Sequence, residues 1–181
     1  AEGLLVQGYQ ICIIDPEGDY RGLGASPHTL LLGGPGKPLP AVDDVISFGE
    51  WRDVSLILDL STYSVAERES YLVEFLRALR GLRARRGRPH CVLVDEIQNF
   101  CPRIGAELTG LLLEDMASGG FCIVSYRPSQ MAPALLAALD HWLMTRLNLA
   151  QEIDFLRPRL SQYEGGTAAL DRISALAKGQ A

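Results

Sequence analysis

The sequence lacks a long apolar run, a secretory leader and an excess of positive charge. No apolar stretch approaches the 18 or so residues that a membrane-spanning helix needs, and no charged, apolar and small-residue leader opens the chain. The net charge is −5, which excludes nucleic-acid binding by a chain that is basic throughout, although a local basic patch stays open. We therefore expect a soluble protein with no membrane partner.

Cysteine is also scarce, and its spacing excludes the common zinc and redox motifs. The four cysteines, Cys12, Cys91, Cys101 and Cys122, form no CxxC pair and have no zinc-like spacing. Three of them lie within strongly apolar runs. We expect buried free thiols in a reducing cytoplasm.

A phosphate-binding loop of the form GxxxxGK[ST] is missing too. The segment 33–40, GGPGKPLP, contains Gly-Lys, but Leu31 stands where the first glycine belongs and Pro38 replaces the hydroxyl residue. We interpret 33–40 as a surface connection.

What the chain does have is apolar runs that alternate with longer helical patterns, as in βαβ units. Its 181 residues suit one compact core, because a chain of this size buries roughly 70% of its unfolded surface. The runs are continuously apolar, which is typical of strands covered on both faces. We predict an α/β fold with a mostly parallel sheet, whose strands are 10–15, 28–33, 55–60, 90–95, 121–126 and 141–147.

The clearest helix is predicted over 64–83. Ser64 and Glu67 form a capping box, apolar residues follow at helical spacing, and Gly87 with Pro89 ends the helix. Two shorter helices are predicted over about 104–117 and 130–139. Residues 1–147 form the predicted core of a single domain spanning 1–181, and residues 148–181 a polar, less regular C-terminal tail or helical segment.

Two adjacent carboxylates, Asp95 and Glu96, follow the apolar run Cys91-Val92-Leu93-Val94. Open α/β sheets bind ligands at the carboxyl ends of their strands. Neighbouring strand residues point to opposite sides, so one acid can hold Mg²⁺ through its water shell while the other polarises an attacking water. A solvated strand end is the alternative.

Two further strand ends place functional groups on the same edge of the predicted sheet. Asp15 precedes Pro16, so it is either close to a metal or nucleotide or a simple turn initiator. Arg127 follows the run 121–126 and either neutralises charge on a transferred phosphoryl group or is an ordinary surface residue.

These segments, in order, resemble a known ATPase family. AEGLLVQGYQ, ICIIDPEGDY, SLILDLS, GRPHCVLVDEIQNF and GFCIVSYRPSQM are similar to the HerA/FtsK superfamily of P-loop ATPases, particularly its HerA-type central domain, over residues 1–147. The resemblance implies a RecA-like P-loop NTPase core with helices on both faces, which binds ATP and Mg²⁺. It also implies that GxxxxGK[ST] lay before Ala1, so we expect a chain truncated at its N-terminus.

Roles follow from the resemblance by matched position. Asp95 and Glu96 resemble the Walker B pair, with Asp95 at the metal and Glu96 as catalytic base. Asp15 matches the acidic residue of a nucleotide-binding segment, and Arg127 falls in the sensor segment. Tyr126 stands where the family usually has a γ-phosphate-sensing Gln, and a hydroxyl cannot reproduce an amide's paired donor and acceptor.

Gln98 is a further departure from the family. The dipeptide Ile97-Gln98 replaces a frequent Ala-His after the acidic pair. Gln98 either supplies polar coupling or, more simply, faces solvent at the start of a helix.

Six arginines cluster from the end of the long helix into the turn after it: Arg77, Arg80, Arg83, Arg85, Arg86 and Arg88. Positive charge near a helix C-terminus is stabilised by the macrodipole, so a solvated face explains much of the cluster. A subunit interface, an arginine finger or a nucleic-acid patch are the functional alternatives.

Three functional hypotheses follow. In the first, the parent protein is a ring-forming, hexameric ATPase that moves or processes DNA. In the second, the chain is a nucleotide-binding or assembly module that no longer hydrolyses ATP. In the third, it is an unrelated doubly wound phosphatase that uses Asp15 and Asp19 as metal ligands or nucleophile.

Overall fold

The computed structural model describes residues 1–51, 53–100, 106–177 and 180. A five-stranded sheet in which every pairing is parallel runs through it, in the order β2-β3-β1-β4-β5. This confirms the predicted α/β class. The strands are β1 Ile11–Asp15, β2 Thr29–Gly33, β3 Ser55–Asp59, β4 Cys91–Val94 and β5 Phe121–Ile123.

Seven α-helices connect or flank these strands within the described residues, and three short 3₁₀ turns accompany them. None of the described helices is both long and apolar enough to span a membrane. The α-helices are α1 Glu2–Val6, α2 Val42–Gly49, α3 Val65–Arg86, α4 Ala106–Met116, α5 Pro133–Ala137, α6 Ala150–Leu160 and α7 Gly166–Ile173. The 3₁₀ turns are Arg21–Ala25, Ile97–Asn99 and Pro128–Gln130.

Both faces of the sheet are covered, as the continuous apolar runs predict. Alternate strand residues such as Cys12 and Ile14 belong to a large cluster with α2, α3, α4 and α5. The intervening residues, such as Ile11 and Ile13, pack with α1 and the turn Arg21–Ala25 on the other face. A residue's position along the strand thus decides which layer it joins.

The long helix α3 follows its predicted pattern closely. The side chain of Ser64 accepts from the Glu67 backbone nitrogen, the Glu67 carboxylate accepts from the Ser64 nitrogen at 2.8 Å, and Gly87 ends the helix in the left-handed region. Its buried face packs on the sheet through Leu72, Phe75, Leu76, Leu79 and Leu82.

Three expectations about the remaining elements need correction. The run 141–147 is not a strand: Trp142, Met144 and Leu147 pack against the cluster of α6 and α7, and the run forms no ladder with β5. Strand β5 is shorter than predicted. The helix in 130–139 is confined to Pro133–Ala137, after a 3₁₀ turn.

The cysteine prediction holds only in part. Cys12 is fully buried, and burial raises its pKa to about 12. Cys91 is half-buried, whereas Cys122 is exposed because β5 lies at the edge of the sheet. All three are free thiols. Cys101 and the predicted helix start at 104 lie outside the described residues.

Two features agree with or extend the sequence patterns outside the sheet. The segment 33–40 is a surface connection only in part: residues 35–38 are exposed, whereas Gly33 ends β2 and both Gly33 and Gly34 are buried beside Asp59. Residues 148–181 contain the two helices α6 and α7, whose buried Leu156, Leu160 and Leu170 form a small core of their own.

Candidate functional site

The candidate site lies at the carboxyl edge of the sheet, where an aspartate ends or directly follows each of three neighbouring strands. Asp15 of β1 is in register with Asp59 of β3, and Ile14 with Val94 of β4. The backbone nitrogen of Asp95 donates to the Ile14 oxygen at 3.0 Å, which extends the β1–β4 ladder by one step. Parallel pairing therefore brings together Asp15, Asp59 and Asp95.

Asp95 and Glu96 differ in backbone geometry. Asp95 is 6% exposed and directly follows the last residue of β4, while Glu96 is half-buried in the left-handed region, with φ of 46°. A non-glycine residue in that region is strained. The next residue, Ile97, is fully buried and donates its N–H to the Val124 oxygen at 3.1 Å. The anchored Ile97 thus helps to fix the sharp turn at Glu96.

The electrostatic surroundings disfavour charge on both acids. Burial is the first cause that raises the pKa of Asp95 and of Glu96, and the nearby carboxylates of Glu17 and Asp19 raise both further. A cation at this edge would relieve that repulsion. Burial, followed by the Asp95 carboxylate, also raises the pKa of the adjacent Tyr20 to about 12.

Magnesium suits this donor set better than a metal caged by protein ligands. Among the described residues, no group of three or more His, Cys, Asp or Glu side chains is arranged to hold a metal. Mg²⁺ prefers carboxylate oxygens and is usually held by only one or two carboxylates, with waters and substrate phosphates in its other positions. Asp95, with Glu96 beside it, supplies carboxylate oxygen of this kind.

Asp15 reaches the same edge, but its carboxylate is already engaged. The side chain is fully buried. Its Oδ1 accepts from the backbone nitrogens of Glu17, Gly18 and Asp19 at 3.2, 2.7 and 3.2 Å, and its Oδ2 from that of Tyr20 at 2.9 Å. Asp15 therefore shapes the loop 16–20. This engagement leaves little room for the nucleophile or metal-ligand role that the phosphatase hypothesis requires.

Asp59 is a site-edge residue that the sequence patterns did not single out. Its fully buried carboxylate pairs with the Arg21 guanidinium, 2.6 Å from Nε, and accepts from the Ser61 backbone nitrogen at 3.0 Å. Burial raises the pKa of Asp59, but the hydrogen bonds from Arg21 and Ser61 outweigh burial and hold it below its ordinary value. The available signal was a third strand ending in aspartate.

Gly18 leaves room for the Arg21–Asp59 pair. It has φ of +82°, and a Cβ at this position would lie 2.2 Å from the Arg21 guanidinium. Glycine therefore adopts the positive φ of the turn and leaves space for the Arg21 side chain. Asp15 and Asp59 together fix the loop beside the acidic pair.

Tyr126 and Arg127 lie beyond the end of β5. Both are exposed, and the Arg127 guanidinium stacks over the Tyr126 ring at 5.1 Å. The ion pairs of the described residues do not join Arg127 to Asp95 or Glu96. Within the part of the chain that the structure describes, hydrogen bonds link this segment to Glu96 through Ser125, which precedes Tyr126, and through Gln98.

Gln98 supplies that connection. It is buried, with 5% exposure, so it does not face solvent. Its Nε2 donates to the Glu96 carboxylate, and its Oε1 accepts from the Ser125 hydroxyl at 2.6 Å. Ser125 Oγ accepts in turn from the Arg127 backbone nitrogen at 3.0 Å. The alternative of polar coupling at Gln98 is therefore the one that the structure supports.

The arginine cluster is largely engaged within the domain. Arg80 bridges Glu114 and Asp115 of α4, and Arg77 contacts Glu107 of the same helix. In a further set of contacts, Arg83 reaches the Gly119 oxygen and Arg85 pairs with Glu50. These contacts link α3 to its neighbours and engage four of the six arginines, Arg77, Arg80, Arg83 and Arg85, with groups of the same chain.

Comparison with known proteins gives a fold likeness only. No family model matches the sequence, and no curated protein sequence matches it. Among solved structures, the genome packaging NTPase B204 from Sulfolobus turreted icosahedral virus 2 in complex with ATP-gammaS is similar, with a TM-score of 0.62 and 13% identity, over 97% of this chain and 76% of that one. The same protein in complex with AMPPCP has a TM-score of 0.65 and 13% identity over 98% and 78% of the two chains. The same protein in complex with AMP has a TM-score of 0.65 and 12% identity over 99% of this chain and 78% of that one. The chain thus has the α/β fold of P-loop NTPases.

Proposed function

We propose that this chain is part of an ATP-hydrolysing motor domain whose catalytic acids are Asp95 and Glu96. The observation that carries the proposal is the placement of both acids at the carboxyl end of β4, inside a sheet of P-loop NTPase type, with their pKa values raised by burial and by neighbouring carboxylates. An edge with this much negative charge favours a divalent cation and the phosphates that accompany it.

Each residue has a defined part in the proposed reaction. A bound Mg²⁺ supplies electrostatic stabilisation of the phosphoryl group. Asp95 would hold that ion, and Glu96 would accept the proton of the water that attacks the γ-phosphate. Arg127 stabilises the charge that develops there, and Tyr126 contacts the nucleotide from the β5 side. Asp15 acts on the nucleotide indirectly, by holding the loop 16–20 in place.

The finer role follows from the family resemblance and from the similar structures. The B204 neighbour is a genome packaging NTPase that was crystallised with ATP-gammaS, AMPPCP and AMP. By analogy, we propose that the intact protein is a ring-forming, hexameric ATPase that moves DNA. No GxxxxGK[ST] occurs in the 181 residues, so we assign the phosphate-cradling role to none of them.

The test is Mg²⁺-dependent ATP hydrolysis by the full-length protein. The native protein should hydrolyse ATP only with the metal, and Asp95→Asn should lower the rate at least about 100-fold, because a metal contributes several kcal/mol to transition-state stabilisation. Asp154→Asn, at an exposed position of α6, is the matched control and should keep the native rate. Absence of both ATP binding and hydrolysis in the native protein would overturn the proposal.

A non-hydrolysing assembly module is the second candidate. The observation that favours it is the exposed Tyr126, stacked on Arg127, at the position where the family usually has a sensor amide. This candidate predicts that the full-length protein binds ATP but does not turn it over, and that Asp95→Asn leaves subunit assembly unchanged.

A further inference from the structure

A directed chain of hydrogen bonds leads from the segment after β5 to Glu96. The Arg127 N–H donates to Ser125 Oγ at 3.0 Å, and the Ser125 hydroxyl donates to Gln98 Oε1 at 2.6 Å. Gln98 Nε2 then donates to the Glu96 carboxylate. Each donor in this chain has its own acceptor, so the three bonds are mutually compatible.

Gln98 lies between the carboxyl ends of β4 and β5. It lies in the 3₁₀ turn Ile97–Asn99 directly after the acidic pair, and the buried Ile97 ties that turn to Val124 at the end of β5. The low exposure of Gln98 excludes most competing water. The reverse orientation of its amide would place Oε1 against the Glu96 carboxylate, so the surroundings select one orientation.

We propose that Gln98 is a positioning residue for Glu96, and that the Ser125 hydroxyl sets the Gln98 orientation. This inference rests on the proposed function, in which Glu96 activates the attacking water. The position of the Glu96 carboxylate would therefore depend on the backbone conformation at 125–127, through Ser125 and Gln98.

The segment after β5 is held at a second point, which connects it to the C-terminal helices. Ser129, in the 3₁₀ turn Pro128–Gln130, donates its backbone N–H and its hydroxyl to Glu152 of α6. Ser125 and Ser129 therefore anchor the two ends of one short segment, one to the acidic pair and one to the C-terminal helices. The exposed Tyr126 and Arg127 lie between these anchors.

Steady-state kinetics of the full-length protein provide the first arm of the test. Ser125→Ala should lower kcat for ATP about 3- to 10-fold, the equivalent of one hydrogen bond, with KM nearly unchanged. Ser125→Thr keeps the hydroxyl and should restore most of kcat. Gln98→Met fills a similar volume without the amide and should lower kcat about 10- to 100-fold. The exposed Gln130→Ala is the control and should match the native protein.

Amide spectroscopy provides a second arm that does not depend on turnover. In protein labelled with ¹⁵N at glutamine, the side-chain amide signal of Gln98 is assigned by its loss in Gln98→Met. That signal should shift in both Ser125→Ala and Glu96→Ala, and should stay in place in Gln130→Ala.

The two arms separate the two claims. If the native protein neither binds nor hydrolyses ATP, the proposed function fails, and the amide signal alone decides whether the hydrogen-bond chain exists. If ATP is hydrolysed but the Gln98 signal ignores both substitutions, the positioning role is overturned while the proposed function stands. An equal loss of kcat in Ser125→Thr and Ser125→Ala also contradicts the role of the hydroxyl.

Discussion

The carboxylate of Glu152 accepts two hydrogen bonds from Ser129, at 2.8 Å from the backbone nitrogen and at 2.5 Å from Oγ. Glu152 is 3% exposed and lies in the first turn of α6, where negative charge also favours the helix N-terminus. This pair ties the C-terminal helices to the segment that follows β5.

Removal of that carboxylate should therefore weaken the whole domain. Hydrogen bonds to a charged group contribute about 1.5–3 kcal/mol each, so we expect the loss of both in Glu152→Ala to lower the free energy of unfolding by roughly 3–6 kcal/mol. Glu152→Gln keeps an acceptor and should cost less. Denaturant titration measures both, with the exposed Glu164→Ala as control. Equal stability of Glu152→Ala and Glu164→Ala would show that the pair contributes nothing.

We expect the Asp15 carboxylate to stabilise the fold through its hydrogen bonds to the loop 16–20. Asp15→Asn places an amide NH₂ against backbone donors, so we expect a loss of roughly 2–4 kcal/mol in unfolding free energy. Hydrogen exchange at the amides of residues 17–20 should accelerate at the same time. The exposed Asp19→Asn changes the side-chain charge but keeps the Asp19 backbone N–H that donates to Asp15, and it should leave both measurements near native values. Native exchange rates in Asp15→Asn would refute the account of the loop.

The Arg21–Asp59 pair should contribute to stability in a pH-dependent way. The folded-state pKa of Asp59 lies below its ordinary value, so its contribution is fully present above the unfolded-state pKa of about 3.9 and is lost as pH falls through the folded-state value. The stability difference between native protein and Asp59→Asn should thus be largest at pH 5–7 and should shrink toward pH 3. Unfolding titrations across this range measure it. A difference that does not vary with pH would contradict the ion-pair role.

Asp95 should behave in the opposite sense. Its folded-state pKa is raised, by burial first, so its ionisation opposes folding and stability is lost as pH rises from the unfolded value through the folded one. At neutral pH and without Mg²⁺, Asp95→Asn should therefore unfold at a higher temperature than the native protein. Asp154→Asn should not. A lower Tm for Asp95→Asn would mean that the carboxylate has a structural partner at this edge.

Local patterns predicted most of the sheet, and contacts between distant segments explain what they missed. Continuous apolar runs and the Ser64 capping box lead directly to β1, β3, β4 and α3. The run 141–147 has the same composition as a strand, yet its apolar side chains pack on α6 and α7. Pattern alone cannot tell those two uses of an apolar run apart.

Part of the candidate site could likewise be predicted from the sequence, and part could not. The parallel sheet brings Asp15 and Asp95 to one edge, as their positions at strand ends predict. Two contacts could not be predicted: the pair of Arg21 with Asp59, and the hydrogen bond of Ser125 with Gln98. In both, the two residues are far apart in the sequence and meet only once the chain has folded. Sequence spacing carries no information about such pairs.

The central claim is that Glu96 activates the water that attacks ATP, and one paired measurement tests it most directly. Equilibrium ATP binding and single-turnover hydrolysis are measured on the same full-length preparations of native protein and Glu96→Gln, with Mg²⁺ present. Our account predicts that Glu96→Gln binds ATP with native affinity and hydrolyses it about 10²–10⁴-fold more slowly, the usual contribution of a general base. Hydrolysis at the native rate by Glu96→Gln would contradict it.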